Sequence, residues 1–315
     1  MRSPFFSILV PAYNATDTLA ETLDSLAAQT FADWEVVVVD DGSTDTTFEL
    51  CCEYATRDSR FRAFHQSNGG TAHALNAAAH ASRGQWLVPL GADDALVVNA
   101  LALQHEVVLK HPGCGLFTWS WHQVFEEVAM EASRGWPTGD CAEERDLANA
   151  LRQDSPGSPI FERELFFATG GYRRLYAEDY DLMLRMLATG ARWIHNCSEL
   201  YVYRRSIHSK SNTLRPQLQS VLEVYGLFID ENKLDDKTRS MVDRAQADHR
   251  AELARVEFRE RLATGEMRGM RRIFMRGLRF KSWSDRWIWA LPIALLSPRM
   301  LRWFMSNSDR RRGTD

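Results

Sequence analysis

A chain of 315 residues with 45% hydrophobic and 25% charged side chains can bury a sizeable core, which excludes disordered, collagen-like and disulfide-scaffold classes. Its 38 basic and 42 acidic residues leave a formal charge of -4, so no overall positive field attracts nucleic acid, and nucleic acid is not an expected partner. The charge is unevenly spread: residues 1–100 carry 5 Lys and Arg against 13 Asp and Glu, whereas residues 266–315 carry 12 against 4, so the two ends are expected to meet different partners.

In chain order, the first hundred residues alternate strand and helix signals, as in an α/β domain with a mainly parallel sheet. Residues 7–11 read as a buried first strand. A helical pattern over 17–29 follows, with Leu19, Leu23 and Leu26 on one face and Thr16 or Asp17 placed to cap it. The β-branched run 35–39 predicts a second strand that ends in Asp40-Asp41-Gly42-Ser43, followed by a helix over 45–55. Residues 61–65 predict a short strand, 71–81 an alanine-rich helix, and 85–90 a fourth strand that stops at Gly91-Ala92-Asp93-Asp94. A Trp-rich strand is expected near 115–124, and a helix over 182–189 closed by Gly190. From about Pro216 the composition turns helical and charged, placing a domain boundary near Leu214.

The five cysteines form no C-x-x-C pair and are odd in number, which argues against a zinc site and a disulfide framework and favours a reducing compartment. The opening apolar run is short and closed by Pro11, unlike a signal peptide, and the apolar stretch 287–298 is too short to span a bilayer.

Ligands collect beyond the carboxyl ends of strands in open α/β sheets, and two predicted strands end there in paired acids. Asp41 can accept hydrogen bonds from a base imide or a ribose hydroxyl, although an Asp-Gly pair after a strand is equally a turn. Asp93 and Asp94 repel one another unless a divalent cation joins them, and such a cation neutralises a diphosphate; the plainer reading is a helix cap. Glu178 and Asp179 open a helix, where acids suit the dipole, or else supply a general base; of the two, Asp179 is the choice for the base.

The order of these motifs resembles glycosyltransferase family 2. The likeness runs from Ser7-Ile8-Leu9-Val10-Pro11-Ala12-Tyr13-Asn14 through Val39-Asp40-Asp41-Gly42-Ser43 to Asn68-Gly69-Gly70 and Asn76. It continues through Asp93-Asp94, Thr169-Gly170-Gly171-Tyr172 and Glu178-Asp179-Tyr180-Asp181-Leu182 to Tyr203-Arg204. The resemblance implies a GT-A fold, an α/β Rossmann-like domain with a mainly parallel central sheet, here followed by a helical C-terminal extension. It divides the chain into a catalytic domain over 1–213, with a nucleotide-sugar half at 1–112 and an acceptor half at 113–213, and a helical region over 214–315. It further implies a nucleotide-sugar donor, expected to be a UDP-sugar, a divalent metal (Mn2+ or Mg2+), and inverting transfer to an acceptor hydroxyl. By position, Pro11, Ala12, Tyr13, Asp41 and Asp93 would surround the nucleotide, Asp94 would bind the metal and Asp179 would be the catalytic base. Tyr203-Arg204-Arg205 and His208 would form a loop over the diphosphate or acceptor, with Glu178, Arg205 and His208 as its members.

The chain departs from the family at Gly91, where many relatives carry an acid, and at Leu75, where many carry a base; His73 or Arg83 would compensate. The processive Q-x-x-R-W motif is missing, which favours transfer of one sugar at a time. Trp119, Trp121, Trp136 and Phe166 are candidates for sugar stacking and equally for core. Residues 268–312 interleave Arg and Trp as in a helix lying on an anionic membrane, or else pack on the protein or form a homodimer contact. The leading expectation is a cytoplasmic enzyme, peripheral on the inner face of the cell membrane. It would glycosylate a saccharide or lipid-linked saccharide in cell-surface polysaccharide synthesis. The alternative is a degenerate sugar-nucleotide-binding or scaffold protein of the same fold.

Overall fold

The computed structural model describes residues 3–125, 142–152, 159–205 and 213–264. The chain divides into two compact units, Met1–Ser209 and Lys210–Asp315.

Among the described residues the first unit is built on a nine-stranded sheet in the order β3 (Phe61–His65), β2 (Trp34–Asp40), β1 (Phe6–Ala12), β4 (Trp86–Pro89), β8 (Pro159–Glu162), β6 (Leu116–Phe125), β9 (Trp193–Arg205) and β5 (Ala95–Leu96), with β7 (Ala142–Arg145) paired to β9. Its first half is parallel: β1 (Phe6–Ala12) lies between β2 (Trp34–Asp40) and β4 (Trp86–Pro89), and β3 (Phe61–His65) flanks β2. Every residue of β2 is buried, which is why its valine run shows no alternation: helices cover both faces. The intervening helices are α1 (Leu19–Ala27), α2 (Thr47–Arg57) and α3 (Thr71–Ala81). Leu19, Leu23 and Leu26 face the core as the periodicity predicts. Neither Thr16 nor Asp17 caps α1; the N-cap is Thr18, whose hydroxyl instead donates to the Ala92 carbonyl.

The second half of the sheet is mixed. β5 (Ala95–Leu96) and α4 (Ala100–Lys110) lead to β6 (Leu116–Phe125), and β7 (Ala142–Arg145) precedes the short α5 (Leu147–Leu151). Next come β8 (Pro159–Glu162), α6 (Arg163–Ala168), α7 (Glu178–Ala188) and β9 (Trp193–Arg205). β6 runs parallel to β9, while β8 joins β4 and β6 antiparallel, and β5 and β7 meet β9 antiparallel. The α/β expectation therefore holds, with antiparallel strands added beyond β4. Trp119 and Phe166 are core residues, fully enclosed with Phe117, Phe161 and Trp193, and Trp121 is exposed; Trp136 lies outside the described residues. Gly190 ends α7 at φ +86°, a conformation glycine adopts without strain. Cys197 is disulfide-bonded, which the reading of the cysteines as suited to a reducing compartment does not anticipate, while Cys51, Cys52 and Cys114 are free thiols.

The second unit pairs α8 (Leu214–Glu231) with α9 (Asp236–Thr264). Leu218, Val221, Val224, Tyr225 and Phe228 form the buried stripe of α8, at the three-to-four spacing that packs one helix on another. Arg215 at the start of α8 reaches Glu260 at 3.0 Å near the end of α9, so the helices run antiparallel. No helix among the described residues is long and apolar enough to cross a membrane. The basic, Trp-rich stretch 268–312 lies outside them.

At the amino ends of the parallel strands, Glu35 is buried and accepts from Ser7 Oγ at 2.8 Å, Arg83 Nε at 2.9 Å and Arg62 Nη1 at 3.3 Å. Burial opposes its ionisation, but the Arg83 and Ser7 hydrogen bonds and the Arg83 charge prevail and hold the carboxyl below its ordinary value. Arg83 is thus committed at the amino ends of the strands and does not replace the base missing at Leu75. A lowered folded-state pKa contributes stability above the unfolded value near 4.5, and that contribution is lost as pH falls through the folded value. In Glu35→Gln, we expect melts at pH 7 to show a loss of about 1–3 kcal/mol, and melts between pH 5 and 3 to show a shallower acid loss than the wild type.

Candidate functional site

At the carboxyl end of β1, Pro11 and Ala12 lead into Tyr13, which is 52% exposed, and Asn14, at φ +48°. The β2 end docks on this segment through the Asp41 N–H, which donates to the Ala12 carbonyl at 2.8 Å. The two loops are then cross-braced. The Asn14 N–H donates to Ser43 Oγ (2.9 Å), the Thr44 N–H to Asn14 Oδ1 (2.8 Å) and the Ala15 N–H to Thr47 Oγ1 (2.8 Å). This frame holds Pro11, Ala12 and Tyr13 beside the buried Asp41.

The Asp41 carboxylate accepts from Gln66 Nε2 (2.7 Å) and the Gly69 N–H (2.9 Å) at Oδ1, and from the Gly70 N–H (2.7 Å) at Oδ2. It therefore fixes the entry to α3 and retains spare acceptor capacity at Oδ2. Gly42 is required by the close approach: at φ +77°, a Cβ there would lie 2.8 Å from the Asn68 nitrogen. Asp40 is fully buried, with Oδ2 2.7 Å from His65 Nδ1. Burial, and then the Asp40 charge, push the Cys51 thiol up to about 12, so this cysteine is an inert core residue.

The second acidic pair splits into unlike partners. Asp94 is 4% exposed; Tyr201 Oη donates to its Oδ2 at 2.5 Å and the Arg204 N–H to its Oδ1 at 2.9 Å. Burial, and then the neighbouring Asp93 charge, raise its carboxyl to about 7. Each oxygen of Asp94, the acid expected to bind a metal directly, thus accepts one hydrogen bond within the protein and keeps a second lone pair. Asp93, expected at the nucleotide, is the exposed acid of the pair; the protein around it partly displaces water and raises its carboxyl as well. Arg204 was expected in a loop, but Tyr203–Arg205 complete strand β9, and its guanidinium is buried.

On α7, Asp179 is exposed in the first turn, whereas Glu178 and Asp181 are buried. Asp181 pairs with Arg185 at 2.7 Å, and Arg185 also donates to the carbonyls of Thr169 and Gly171. That grip sets the Gly170–Gly171 turn, where both residues have positive φ. Asn76 of α3 holds the next residue by its main chain: Asn76 Nδ2 donates to the Tyr172 carbonyl at 2.8 Å, and the Tyr172 N–H donates to Asn76 Oδ1 at 2.9 Å. Burial, then the charges of Asp179 and Glu178, push the Tyr172 hydroxyl well above its ordinary value, so both acids lie within electrostatic range of this tyrosine. Asp41, α3, Tyr172 and α7 therefore form one continuous chain of contacts. Arg205 ends β9 half-buried, and His208 lies outside the described residues. Gln66, Tyr201 and Arg185 are not among the expected site residues; the partners of Gln66 and Tyr201 are distant in sequence, and no local motif marks them.

The model of the family described as Glycosyl transferase family 2 matches residues 7–124, which span β1 to β6. A PGL/p-HBAD biosynthesis glycosyltransferase of Mycobacterium bovis (strain BCG / Pasteur 1173P2) is 30% identical over 202 residues, covering 62% of this chain and 75% of that protein. The chain spans 62%, 24% and 36% of the length of three further relatives that it matches. Among solved structures, S. aureus TarS 1-349 in complex with UDP-GlcNAc superposes with a TM-score of 0.65 at 20% identity, covering 86% of this chain and 79% of that one. The mannosyltransferase PcManGT from Pyrobaculum calidifontis in complex with GDP-Man and Mn2+ superposes with a TM-score of 0.62 at 19% identity, covering 96% and 84%. At those identities the likeness establishes the fold; together with the family match and the mycobacterial relative, it follows that the chain belongs to glycosyltransferase family 2 and has the GT-A fold.

Proposed function

We propose that this protein is an inverting, non-processive hexosyltransferase. It moves one sugar from a nucleotide-sugar donor, a UDP-sugar, to a hydroxyl of a saccharide or lipid-linked saccharide in surface polysaccharide or glycoconjugate assembly. The observation that carries the reading is a division of labour among acids. Asp41, Asp94 and Asp181 are buried and hydrogen-bonded, while Asp93 and Asp179, each beside or near one of them in sequence, are exposed.

In this reading residues 1–112 bind the donor and 113–213 the acceptor. Pro11, Ala12 and Tyr13 frame the base, and Asp41 accepts from the nucleoside at its remaining lone pair while keeping Gly69 and Gly70 in place. Asp179 takes the proton of the acceptor hydroxyl as that oxygen attacks the anomeric carbon, and a single displacement inverts the carbon. Glu178 borders this base, and Arg205 at the end of β9 supports the diphosphate together with His208. Residues 268–312 attach the enzyme peripherally to the inner face of the membrane.

A divalent cation suits the residues present. Among the described residues no three His, Cys, Asp or Glu side chains gather around one point, and the donor set is the single open carboxylate of Asp93. Mg2+ and Mn2+ sites of that kind take one or two carboxylates and complete their shell with substrate phosphates and water. We assign the metal to Asp93, with Asp94 as its support. When bound, the cation neutralises charge on the departing diphosphate. The acid missing at Gly91 fits the same arrangement, because a Cβ there would lie 2.5 Å from Asp94 Oδ2 and 2.8 Å from Asp93 Oδ1.

Binding and slow hydrolysis of a panel of nucleotide sugars, with and without Mn2+, test these roles. Asp93→Asn should lose metal-dependent donor binding. Asp179→Asn should keep it while sugar transfer falls by about 10²–10⁴-fold. Equal behaviour of both variants and the wild type would overturn the reading and favour a binding or scaffold protein. Restoring the acid with Gly91→Asp should not strengthen metal binding; crowding against Asp94 should lower stability by about 1–3 kcal/mol in thermal melts.

A further inference from the structure

The turn that carries Asp93 is held from two sides by elements remote in sequence. From α1 and its N-cap, the hydroxyls of Thr22 and Thr18 both donate to the Ala92 carbonyl, at 3.0 and 2.9 Å. From β9, Tyr201 Oη and the Arg204 N–H each take one oxygen of Asp94, and Arg204 Nε donates to the Asp93 carbonyl at 3.1 Å. The Arg204 guanidinium then pairs with Glu21 of α1, closing a ring around the turn. Beyond it, β5 pairs with β9 through Ala95–Val202 and Leu96–Tyr201. The Ala92 and Asp93 carbonyls and both oxygens of the Asp94 carboxylate thereby accept within the protein, and the Asp93 carboxylate is the acidic group of the turn that faces solvent.

Packing alone does not require this chemistry. The β5–β9 ladder already anchors the chain after the turn, and the Tyr201 ring lies 6.4 Å from Trp119, a contact that phenylalanine would preserve. Burying an arginine is costly, and an apolar residue of similar volume commonly serves stability as well or better. What the tyrosine hydroxyl and the guanidinium add is direction, since both donate to a turn whose exposed product is one carboxylate.

We propose that Tyr201 and Arg204 are positioning residues of the donor site. They clamp the Gly91–Asp94 turn against α1 and β9 so that Asp93 meets a metal-bound nucleoside diphosphate already oriented. The inference rests on the assignment of the metal to Asp93 made above. Groups that orient a ligand commonly change metal affinity by 10–100-fold without touching the metal. Loosening the clamp should therefore weaken metal-dependent nucleotide binding and leave proton transfer at Asp179 unchanged.

The experiment titrates Mn2+ into the full-length protein with UDP, GDP or dTDP, reading nucleotide binding by calorimetry and free Mn2+ by electron paramagnetic resonance. Donor hydrolysis and a thermal melt are measured on the same samples. Tyr201→Phe should raise the Mn2+ concentration for half-maximal binding by about tenfold, with the hydrolysis rate at saturating Mn2+ within about twofold of wild type. Glu21→Gln, a change at a half-exposed position, should shift Mn2+ dependence in the same direction by about threefold. Arg204→Lys, which keeps the charge but not the fork, should not restore wild-type affinity. If the wild type binds none of the three nucleotides in an Mn2+-dependent way, the metal assignment itself fails. If the wild type binds and Tyr201→Phe and Glu21→Gln follow its Mn2+ dependence, the assignment stands and the clamp is refuted. A melt lowered in Tyr201→Phe with unaltered Mn2+ dependence also refutes it, and if that variant does not fold, Glu21→Gln decides.

Discussion

Removing a carboxylate from water is costly unless donors replace the water, and that constraint shapes both edges of the sheet. Asp41, Asp94 and Glu35 have each recruited donors from segments far along the chain, so each has become a junction. Asp41 ties β2 to the entry of α3, Asp94 ties the turn after β4 to β9, and Glu35 ties β2 to Ser7, Arg62 and Arg83. Asp181 does the same through Arg185, which carries the attachment on to the carbonyls of Thr169 and Gly171. Remove the carboxylates and these loops lose the contacts that define their course.

The same junctions connect the two halves of the first unit. The connection begins at Asp41, passes through Gly69 and Gly70 into α3, and leaves that helix at Asn76. Asn76 grips the main chain of Tyr172 rather than a side chain, so it fixes the path of the segment leading to Asp179 whatever residue stands at 172. Gly171 allows the approach, since a Cβ there would come within 2.7 Å of Asn76 Oδ1. Asp179 on α7 and the loops after β1 and β2 thus share a hydrogen-bonded connection, and under the proposed function that connection serves a displacement reaction, in which attacking and leaving groups must be aligned.

The parallel half was legible because its signals are local. Val36 to Val39 reads as a buried strand and Leu19, Leu23 and Leu26 as one helix face; each statement needs only neighbours in sequence. Beyond β4 that locality fails. β5 has two residues and β7 is a charged strand, Ala142-Glu143-Glu144-Arg145, paired at β9; neither has a periodicity to read. Arg204 was misplaced for a related reason. Two adjacent arginines after a tyrosine look like a solvated loop, and only the distant Glu21 and the Asp93 carbonyl explain how such a charge sits inside a strand end.

The acidic doublets show most clearly where sequence reasoning stops. Asp93 and Asp94 are chemically identical in a string of letters, and either could cap, turn or bind. What separates them is that a hydroxyl 107 residues away and an N–H 110 residues away converge on one and not on the other. Glu178, Asp179 and Asp181 divide in the same manner: helical geometry sends 178 and 181 toward the protein and 179 outward, and Arg185, one turn on, meets Asp181. In both places an enclosed acid stands directly beside or within three residues of an open one. The enclosed member fixes the backbone and the open member inherits a fixed position from it. A doublet therefore places a carboxylate in solvent with little of the freedom that a lone surface acid retains, and that restriction is what binding a diphosphate-bridged cation or taking a proton from a bound hydroxyl demands.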